Sequence, residues 1–419
     1  MSRRAVVIGG GIGGLASGVA LARVGWDVTV LERATSLEPV GAGIAVAPNA
    51  VRALVALGLG DTLRDLATLQ GELGMRRPDG RWLVRADAGQ ASARFGDSTL
   101  VLHRAQLVGM LADALPDGAL RLGVSGAVVH PGDDARPAVV RVADAVRPAG
   151  ADVPDAAGPA GADAPDAAGS GTEVEADLVV AADGIDSPTR TRWWPDAPRP
   201  VHGGSTAWRL VAPAPRGGTV DGGTVGGETW GRGIVVGVVP LADGRVYAYV
   251  SVADAAGVPD TLAELRERLA GWHDPIPELL ASVPPDQVLR HALRRLPAPP
   301  ASLATGRVAL VGDAAHAMLP NVGQGGCQAL EDAVVLGARV PAPGDVVPAL
   351  QRWSAERRPR VDKVMRLSAR VAVPTRWTSP VLAGARDLGA RAAGSWAASL
   401  GSRALDDVMG WRPPTTDAR

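Results

Sequence analysis

Short apolar runs that end in glycine or an acid alternate along this chain with stretches of helical and of strand periodicity. Residues 5–9 (AVVIG) contain no polar position, the pattern of a strand buried on both faces of a parallel sheet. Small and apolar residues then predict a helix from about Gly13 to Val24, and a second strand follows from Asp27 to Glu32. Together they make a βαβ start. The stretch Leu100 to Leu115 begins as a strand and turns into an amphipathic helix. Two more buried strands are read at Asp177 to Ala182 (DLVVAA) and Arg307 to Val311 (RVALV), and a long helix starts near Gly325.

Residues 72–99 and 202–290 differ in character. Glycine, alternation and turn signals dominate there, and TAWRLV, GIVVGVVPL and RVYAYVSV read as antiparallel strands. The sheet begun by the first strand is thus interrupted twice, and the two insertions are expected to meet as one mostly β domain. The expected division is a discontinuous α/β domain over 1–71, 100–201 and 291–342, the β domain over 72–99 and 202–290, and a helical region over 343–419. Within the last, the arginine-rich stretch Arg352 to Arg370 reads as a mostly solvated helix face. Residues 149–158 (AGADVPDAAG) recur at 160–169 (AGADAPDAAG). Two copies with almost no large apolar residues cannot bury a core, so 149–171 reads as a flexible loop in a β-hairpin without a catalytic role. The tail Pro413 to Arg419 is expected to fray.

Composition narrows the function class. With 43 basic and 44 acidic residues there is no electrostatic reason to expect nucleic acid or an anionic membrane as partner. Aromatic residues make up 3% of the 419 positions, too few for a base-stacking platform. The single cysteine, Cys327, excludes an internal disulfide and a thiolate metal cluster, and no metal is expected; a reducing cytoplasm fits. Arg3-Arg4 before an apolar run imitates a twin-arginine signal. Glycines at fixed offsets and the strand that follows instead make it a strand, a tight turn and a helix. The Ala-rich stretch Val381 to Leu400 is broken by Arg386, Asp387 and Arg391, so no membrane span is expected.

Three motifs carry candidate chemistry. In Gly9-Gly10-Gly11-Ile12-Gly13-Gly14, the residues Gly9, Gly11 and Gly14 fit GxGxxG between a strand and a helix. The first glycine permits the turn, the second lets backbone approach a pyrophosphate, and the third lets the helix pack close to the sheet. The phosphates then sit at the helix N-terminus. Glu32 ends the second strand, where an acid can hydrogen-bond a ribose hydroxyl. This alone is a dinucleotide signal, equally open to NAD and FAD. The second motif, Asp183-Gly184-Ile185-Asp186-Ser187-Pro188-Thr189-Arg190, follows the DLVVAA strand. By itself it is as often a plain turn. The third is Gly312-Asp313-Ala314-Ala315-His316, followed by Pro320-Asn321-Val322-Gly323-Gln324-Gly325-Gly326 and a helix. Asp313 can accept hydrogen bonds from a polyol, and glycines 323–326 let backbone lie flat against a planar ring. The helix dipole behind them favours an anion such as a reduced flavin. Phosphate cradle, polyol acceptor and glycine platform together suit FAD.

The three motifs, in this order, resemble those of the group A flavoprotein monooxygenases, the family of para-hydroxybenzoate and salicylate hydroxylases. DGxxSxxR is matched by Asp183, Gly184, Ser187 and Arg190, and GDAAHxxxPxxGQGGCQALEDA runs from Gly312 to Ala333. Gly41-Ala42-Gly43-Ile44 with Pro48-Asn49, and His103-Arg104 before Leu107, also match. The resemblance covers about residues 4–370; the repeat departs from it and the last fifty residues match only loosely. It implies an α/β fold, in which a Rossmann-like FAD-binding domain is interrupted by a mostly antiparallel β substrate domain and followed by a C-terminal helical segment. It also implies that NADPH or NADH reduces a non-covalent FAD and that O2 gives a C4a-hydroperoxyflavin, whose distal oxygen goes to an electron-rich carbon. No second GxGxxG follows a strand, as in that family. On the resemblance, Glu32 and Arg33 hold the adenosine side, Arg104 sits near the phosphates or flavin, and Asp313 takes the ribitol. Gly323, Gln324, Gly325, Gly326 and Cys327 line the flavin ring, and Pro320 faces the substrate through its backbone. Asp183, Gly184 and Arg190 shape the FAD and NAD(P)H region.

The substrate side is less legible. His316 is the candidate base, weighed against a role in supporting its loop. Arg209, Arg232, Tyr247 and Tyr249 lie on expected β-domain strands, and alternation puts the two tyrosines on one face, toward the pocket or away from it. Arg209 and Tyr247 are kept as catalytic candidates. Trp208 and Trp230 read as core, His273 as a cap or packing residue, and Cys327 as a packed small residue rather than a flavin attachment point. On the resemblance, the segment Ile44 to Pro48 passes near the substrate; it carries no charge, which suggests an apolar or large aromatic substrate rather than a small carboxylate. The reading is a monooxygenase, monomer or homodimer, that hydroxylates an aromatic or polyketide-like small molecule. Its alternatives are an alkene epoxidase, an FAD-dependent dehydrogenase or reductase, and a non-enzymatic FAD scaffold, against which the intact motifs argue.

Overall fold

The computed structural model describes residues 3–37, 43–66, 68–69, 72–87, 95–145, 171–215, 226–342, 344–392 and 402–414. The repeat at 149–169, Gly41-Ala42 and the end of the tail lie outside these residues.

The apolar run near the N-terminus forms the strand Arg4–Ile8, and Ala5 to Ile8 are all buried. It is flanked on both sides by parallel strands, Asp27–Glu32 and Leu178–Ala181. Val308–Leu310 joins beyond Leu178–Ala181, and Leu120–Leu122 beyond Asp27–Glu32, both parallel. An antiparallel edge strand, Ala304–Thr305, completes six strands. Such a strand reads as continuously apolar because helices or loops cover both faces. The helix Ile12–Arg23 supplies one cover and packs against the helix Gly325–Arg339. A three-stranded antiparallel layer, Val124–His130, Ala138–Asp144 and Thr172–Ala176, lies against the Arg4–Ile8 and Asp27–Glu32 strands.

The second sheet has seven strands in the order Leu289–Arg295, Val201–Ala212, Val246–Ala253, Ile234–Pro240, Gly226–Trp230, Glu72–Arg76 and Trp82–Asp87. All its pairings are antiparallel except Gly226–Trp230 with Glu72–Arg76. The two insertions therefore meet in one sheet, and that sheet runs five residues past position 290. Strand alternation gives it two unlike faces. Trp208, Leu210, Ala212, Ile234, Val236, Val238, Ala248 and Val250 form a core with the helices Leu262–Leu269 and Ile276–Ala281. The other face carries Arg209, Tyr247, Tyr249, His291 and Glu228, as the register requires.

A small sheet of Gly43–Val46, Leu100–His103 and Thr68–Leu69 links the two large ones. The chain ends in the helices Val346–Thr375, Pro380–Ala392 and Ser402–Met409. Among the described residues, no helix is long and apolar enough to cross a membrane. An α/β fold with an inserted β sheet and a helical C-terminal segment is the class expected from the sequence.

Candidate active site

The order of the parallel strands puts the three motifs side by side. Val308–Leu310, Leu178–Ala181, Arg4–Ile8 and Asp27–Glu32 are consecutive neighbours. Their C-terminal ends carry Asp313, Asp183, the glycine turn and Glu32, in that sequence across the sheet. This edge is where open α/β sheets bind ligands.

The glycines of the motifs divide by what surrounds them. A Cβ on Gly14 would lie 1.9 Å from the Gly9 carbonyl oxygen, and one on Gly9, whose φ is +108°, would lie 2.3 Å from that of Ala182. These two let turn, helix and neighbouring strand close on one another, and Gly13 packs against Val311 and Ala329. By contrast, a Cβ on Gly11, Gly184, Gly323 or Gly325 would meet nothing within 4 Å. Bare backbone at those four positions faces open space from all three motifs. Gly11 caps the Ile12–Arg23 helix without a side-chain hydrogen bond, so the first-turn N–H groups remain available to an anion.

The acids at this edge differ in engagement. Glu32 accepts from the N–H of Gly10 at 2.6 Å and of Ala34 at 2.8 Å, which fixes its carboxylate beside the turn. Arg33 and Asp313 are exposed. Asp183 accepts through Oδ2 from the N–H of Thr189 at 3.1 Å, while its Oδ1 is buried with no hydrogen-bond partner among the described residues. A buried carboxylate oxygen left unpaired is costly, and a ligand hydroxyl or N–H would satisfy it. An orphaned acceptor, an exposed acid and four open glycines along one edge fit the polyol, pyrophosphate and planar ring of FAD.

Arg190 is 2% exposed and donates to the carbonyls of Ala314 at 2.7 Å and Ile185 at 2.5 Å. It ties the second motif to the third. Burial, partly offset by Asp183 and Asp186, lowers its pKa.

Behind the third motif lies a buried ionic cluster that sequence reasoning missed. His316 is fully buried, its Nε2 2.6 Å from Asp332 Oδ2, which also accepts from the Gly312 N–H at 3.0 Å. Arg357, 1% exposed, donates to Asp332 Oδ1 at 2.8 Å and to Glu331 Oε2 at 2.7 Å. Arg360 also reaches Glu331, and Asn49 bridges Glu331 and Gln324. Arg357 and Arg360 of the arginine-rich stretch therefore turn into this cluster and Arg358 is half-buried against the Pro300 carbonyl, whereas Arg352, Arg366 and Arg370 stay exposed. The sequence signal was available: Glu331 and Asp332 stand mid-helix among buried residues and need counter-charges. His316 and the Gly312 N–H thus share Asp332 Oδ2, while His316 Nδ1 is buried with no hydrogen-bond partner among the described residues.

Cys327 is buried, donates weakly to the Gly323 carbonyl at 3.3 Å, and has its thiol pushed up to about 12 by burial. A thiol so protonated is a poor nucleophile toward a flavin. Gln324 is buried with Asn49 and Gln328, and Pro320 is exposed at the start of a 3₁₀ turn. Ile12 is buried, its side chain near Gly326 together with that of Ile44.

The polar face of the second sheet closes the site. At one end Ala207 and Leu293 pack with Leu319 and Ala372, next to Pro320. At the other end Tyr247 packs with Val101 and Ala45, and Gly43 lies against its ring. Between those ends stand Arg209, Tyr249 and His291. They are thus bracketed by the two segments, 43–45 and 319–320, that border the glycine platform. Arg209 is half-buried and makes no hydrogen bond or ion pair among the described residues. Burial, then the charges of Arg209 and Arg104, push His291 down to about 4, so it is neutral at pH 7. Arg104 itself is exposed at the start of the Arg104–Asp113 helix.

Other expected residues fall elsewhere. Trp208 lies on the opposite, core face, Arg232 is exposed, and Trp230 donates to Glu228 at 2.7 Å. His273 holds the Pro78 turn through its N–H and meets Thr229 at 2.8 Å.

A family model described as FAD binding domain matches residues 3–104 and 155–368. Aurachin C monooxygenase/isomerase of Stigmatella aurantiaca is 34% identical over 377 residues, covering 89% of each chain. FAD-dependent urate hydroxylase of Klebsiella pneumoniae is 31% identical over 367 residues, 85% of this chain and 86% of that one. Klebsiella pneumoniae HpxO complexed with FAD and uric acid shares the fold with a TM-score of 0.80 at 27% identity, over 97% of this chain and 96% of that one.

Proposed function

The chain belongs to the FAD-binding family of group A flavoprotein monooxygenases, and from that premise we propose that it hydroxylates an aromatic small molecule at the cleft between its two large sheets. It is an FAD-dependent monooxygenase. When bound, FAD would supply the redox chemistry that couples NADPH or NADH to O2. The protein binds, orients and excludes water.

In this reading the Gly9–Gly14 turn and the Ile12–Arg23 helix hold the pyrophosphate, with Glu32 and Arg33 on the adenosine side. Asp183 and Asp313 hold the polyol, and Gly323 to Gly326 back the planar ring. Cys327 stays a thiol, so the cofactor is held without a covalent bond. The substrate lies against Arg209, Tyr249 and His291, walled by Ile44 and Leu319. The relatives' names, aurachin C and urate among them, support an aromatic heterocycle as the substrate class.

The observation that carries this is that the segments 43–45 and 319–320, which border the open glycines of the motif edge, pack against the sheet face that holds Arg209, Tyr249 and His291. The experiment is NAD(P)H oxidation by the purified flavoprotein under 18O2 with a panel of hydroxyquinolines and phenols. Product gaining one labelled oxygen is the expected result. NAD(P)H oxidation that yields only hydrogen peroxide with every substrate would favour the reductase reading instead.

A further inference from the structure

Three residues stand in a row across neighbouring strands on the substrate face: Tyr249, Gly237 and Glu228. Gly237 pairs with Tyr249 on one side and with Glu228 on the other. A side chain at the middle position would block the row, since a Cβ there would lie 2.1 Å from Tyr249 Cε1 and 2.6 Å from its Oη. With glycine in place, the Tyr249 ring lies across the strand and its hydroxyl donates to Glu228 Oε1. The second carboxylate oxygen, Oε2, accepts from Trp230 Nε1 at 2.7 Å. Glycine in a strand interior weakens the strand and marks a close approach. Here the approach is of a phenol to a carboxylate.

This geometry fixes the direction of the hydrogen bond. A carboxylate only accepts, so the Tyr249 proton is committed to Glu228, and the phenol oxygen offers the site only lone pairs. Burial first, then the charge and hydrogen bond of Glu228, raise the Tyr249 pKa, so it rests as a neutral phenol. On its other side, directly opposite in the register, stands the guanidinium of Arg209, which is without a hydrogen bond or ion pair among the described residues. Tyr249 thus has a carboxylate on one flank and a cation on the other.

We propose that Tyr249 is a catalytic residue that accepts a hydrogen bond from the O–H or N–H of a neutral aromatic substrate and relays its proton to Glu228. This rests on the monooxygenase reading. The substrate proton moves to Tyr249 Oη as the Tyr249 proton moves to Glu228 Oε1. Glu228 ends protonated, Tyr249 neutral and the substrate an aryl oxide or its nitrogen counterpart, held beside Arg209. No electrons are exchanged in this step. Loss of the proton raises electron density at the ring carbons ortho and para to the heteroatom, which an electrophilic oxygen attacks. The pairing also selects the substrate class. A phenol or N–H heteroaromatic such as a hydroxyquinoline satisfies both flanks, whereas a substrate with a permanent carboxylate brings a second negative charge beside Glu228.

The test uses the oxidised holoprotein without NAD(P)H. Binding of 4-nitrophenol and 4-hydroxyquinoline is compared with that of 4-nitroanisole and 4-methoxyquinoline through the flavin spectrum. Ionisation of bound 4-nitrophenol is followed by its phenolate band. The hydroxyl probes should bind at least about tenfold more tightly than their methyl ethers, because the ethers leave the relay's acceptor unpaired. Bound 4-nitrophenol should be a stronger acid than in water by about tenfold or more, one pKa unit. Tyr249→Phe should abolish the preference for hydroxyl over ether. Glu228→Gln should abolish the acidification, and Glu228→Asp should restore part of it. Flavin content and circular dichroism report whether each variant folds; if one does not, the two wild-type measurements decide. Ethers that bind as well as the hydroxyl probes, failure of every hydroxyl probe to bind, or unchanged ionisation in Glu228→Gln would overturn the relay. A protein that incorporates labelled oxygen yet shows any of these leaves the monooxygenase reading standing. Absence of oxygen incorporation in the wild type sinks that reading first.

Discussion

Replacing Arg357 by methionine should destabilise the protein by about 3 kcal/mol, although the residue touches neither the cofactor edge nor the substrate face. Arg357 is 1% exposed and its guanidinium meets Asp332, Glu331 and Gln328 at 2.7 to 3.2 Å. Methionine keeps the volume of the stem but removes the charge, leaving two buried carboxylates with fewer partners. Breaking a buried pair from one side costs about 3–5 kcal/mol. The lower end applies because each acid keeps a partner: Asp332 retains His316 and the Gly312 N–H, and Glu331 retains Arg360 and Asn49. Urea unfolding followed by tryptophan fluorescence measures the loss, helped by Trp353, which donates to the Asp332 carbonyl at 3.2 Å. Adding Glu331→Gln to Arg357→Met should cost less than the sum of the two single changes, because the second removes a charge the first left uncompensated. A loss under about 1 kcal/mol, the range of an exposed ion pair, would refute the reasoning and return Arg357 to a solvated face.

Other predictions concern the cofactor edge and its support. Asp313→Ala should lower FAD affinity, since it removes an exposed acceptor from the polyol position; equilibrium dialysis showing wild-type affinity would contradict that assignment. Gly14→Ala should cost about 1–3 kcal/mol or more and shed FAD, because its Cβ meets backbone at 1.9 Å, whereas Gly11→Ala should fold normally and only weaken FAD binding. Calorimetry of both variants separates the two roles. Cys327, with its thiol pushed up to about 12, should resist iodoacetamide at pH 8 in the folded protein, as mass spectrometry would show. Burial alone would raise the Asp332 pKa, but His316 and Arg357 outweigh it and hold the carboxyl below its usual range. Its stabilising contribution is therefore full above about pH 4 and lost as pH falls further, so the melting-temperature gap between wild type and Asp332→Asn should narrow only below that point.

Much of the fold was legible because parallel strands buried on both faces leave continuous apolar runs. Residues 5–9, 177–182 and 307–311 each fall within a residue of a strand end in the central sheet. The glycine motifs were legible for a related reason: backbone that must approach other backbone, or a ligand, excludes side chains. The buried ionic cluster was not, because periodicity alone does not say which face of the Val346–Thr375 helix meets Glu331 and Asp332. Arg357 and Arg360 look like Arg366 and Arg370 until the partner helix is placed. The face of Tyr247 and Tyr249 was likewise undecided, since alternation places two residues together without saying where they point.

Those two failures share a cause that bears on function. In both, a charged or polar side chain acquires its role from an element distant in sequence: Arg357 from a helix about 26 positions earlier, Tyr249 from a strand 21 positions away. The cofactor edge is different, since each of its motifs is nearly self-contained, a strand end with the turn that follows it. A nucleotide site can thus be recognised from local spacing, whereas the residues proposed to face the substrate are assembled by sheet register. Gly237 is the clearest instance. In the sequence it is one more glycine in an apolar strand, yet its missing side chain lets Tyr249 reach Glu228 across an intervening strand. Substrate choice can therefore change through such a register position while the FAD motifs stay fixed.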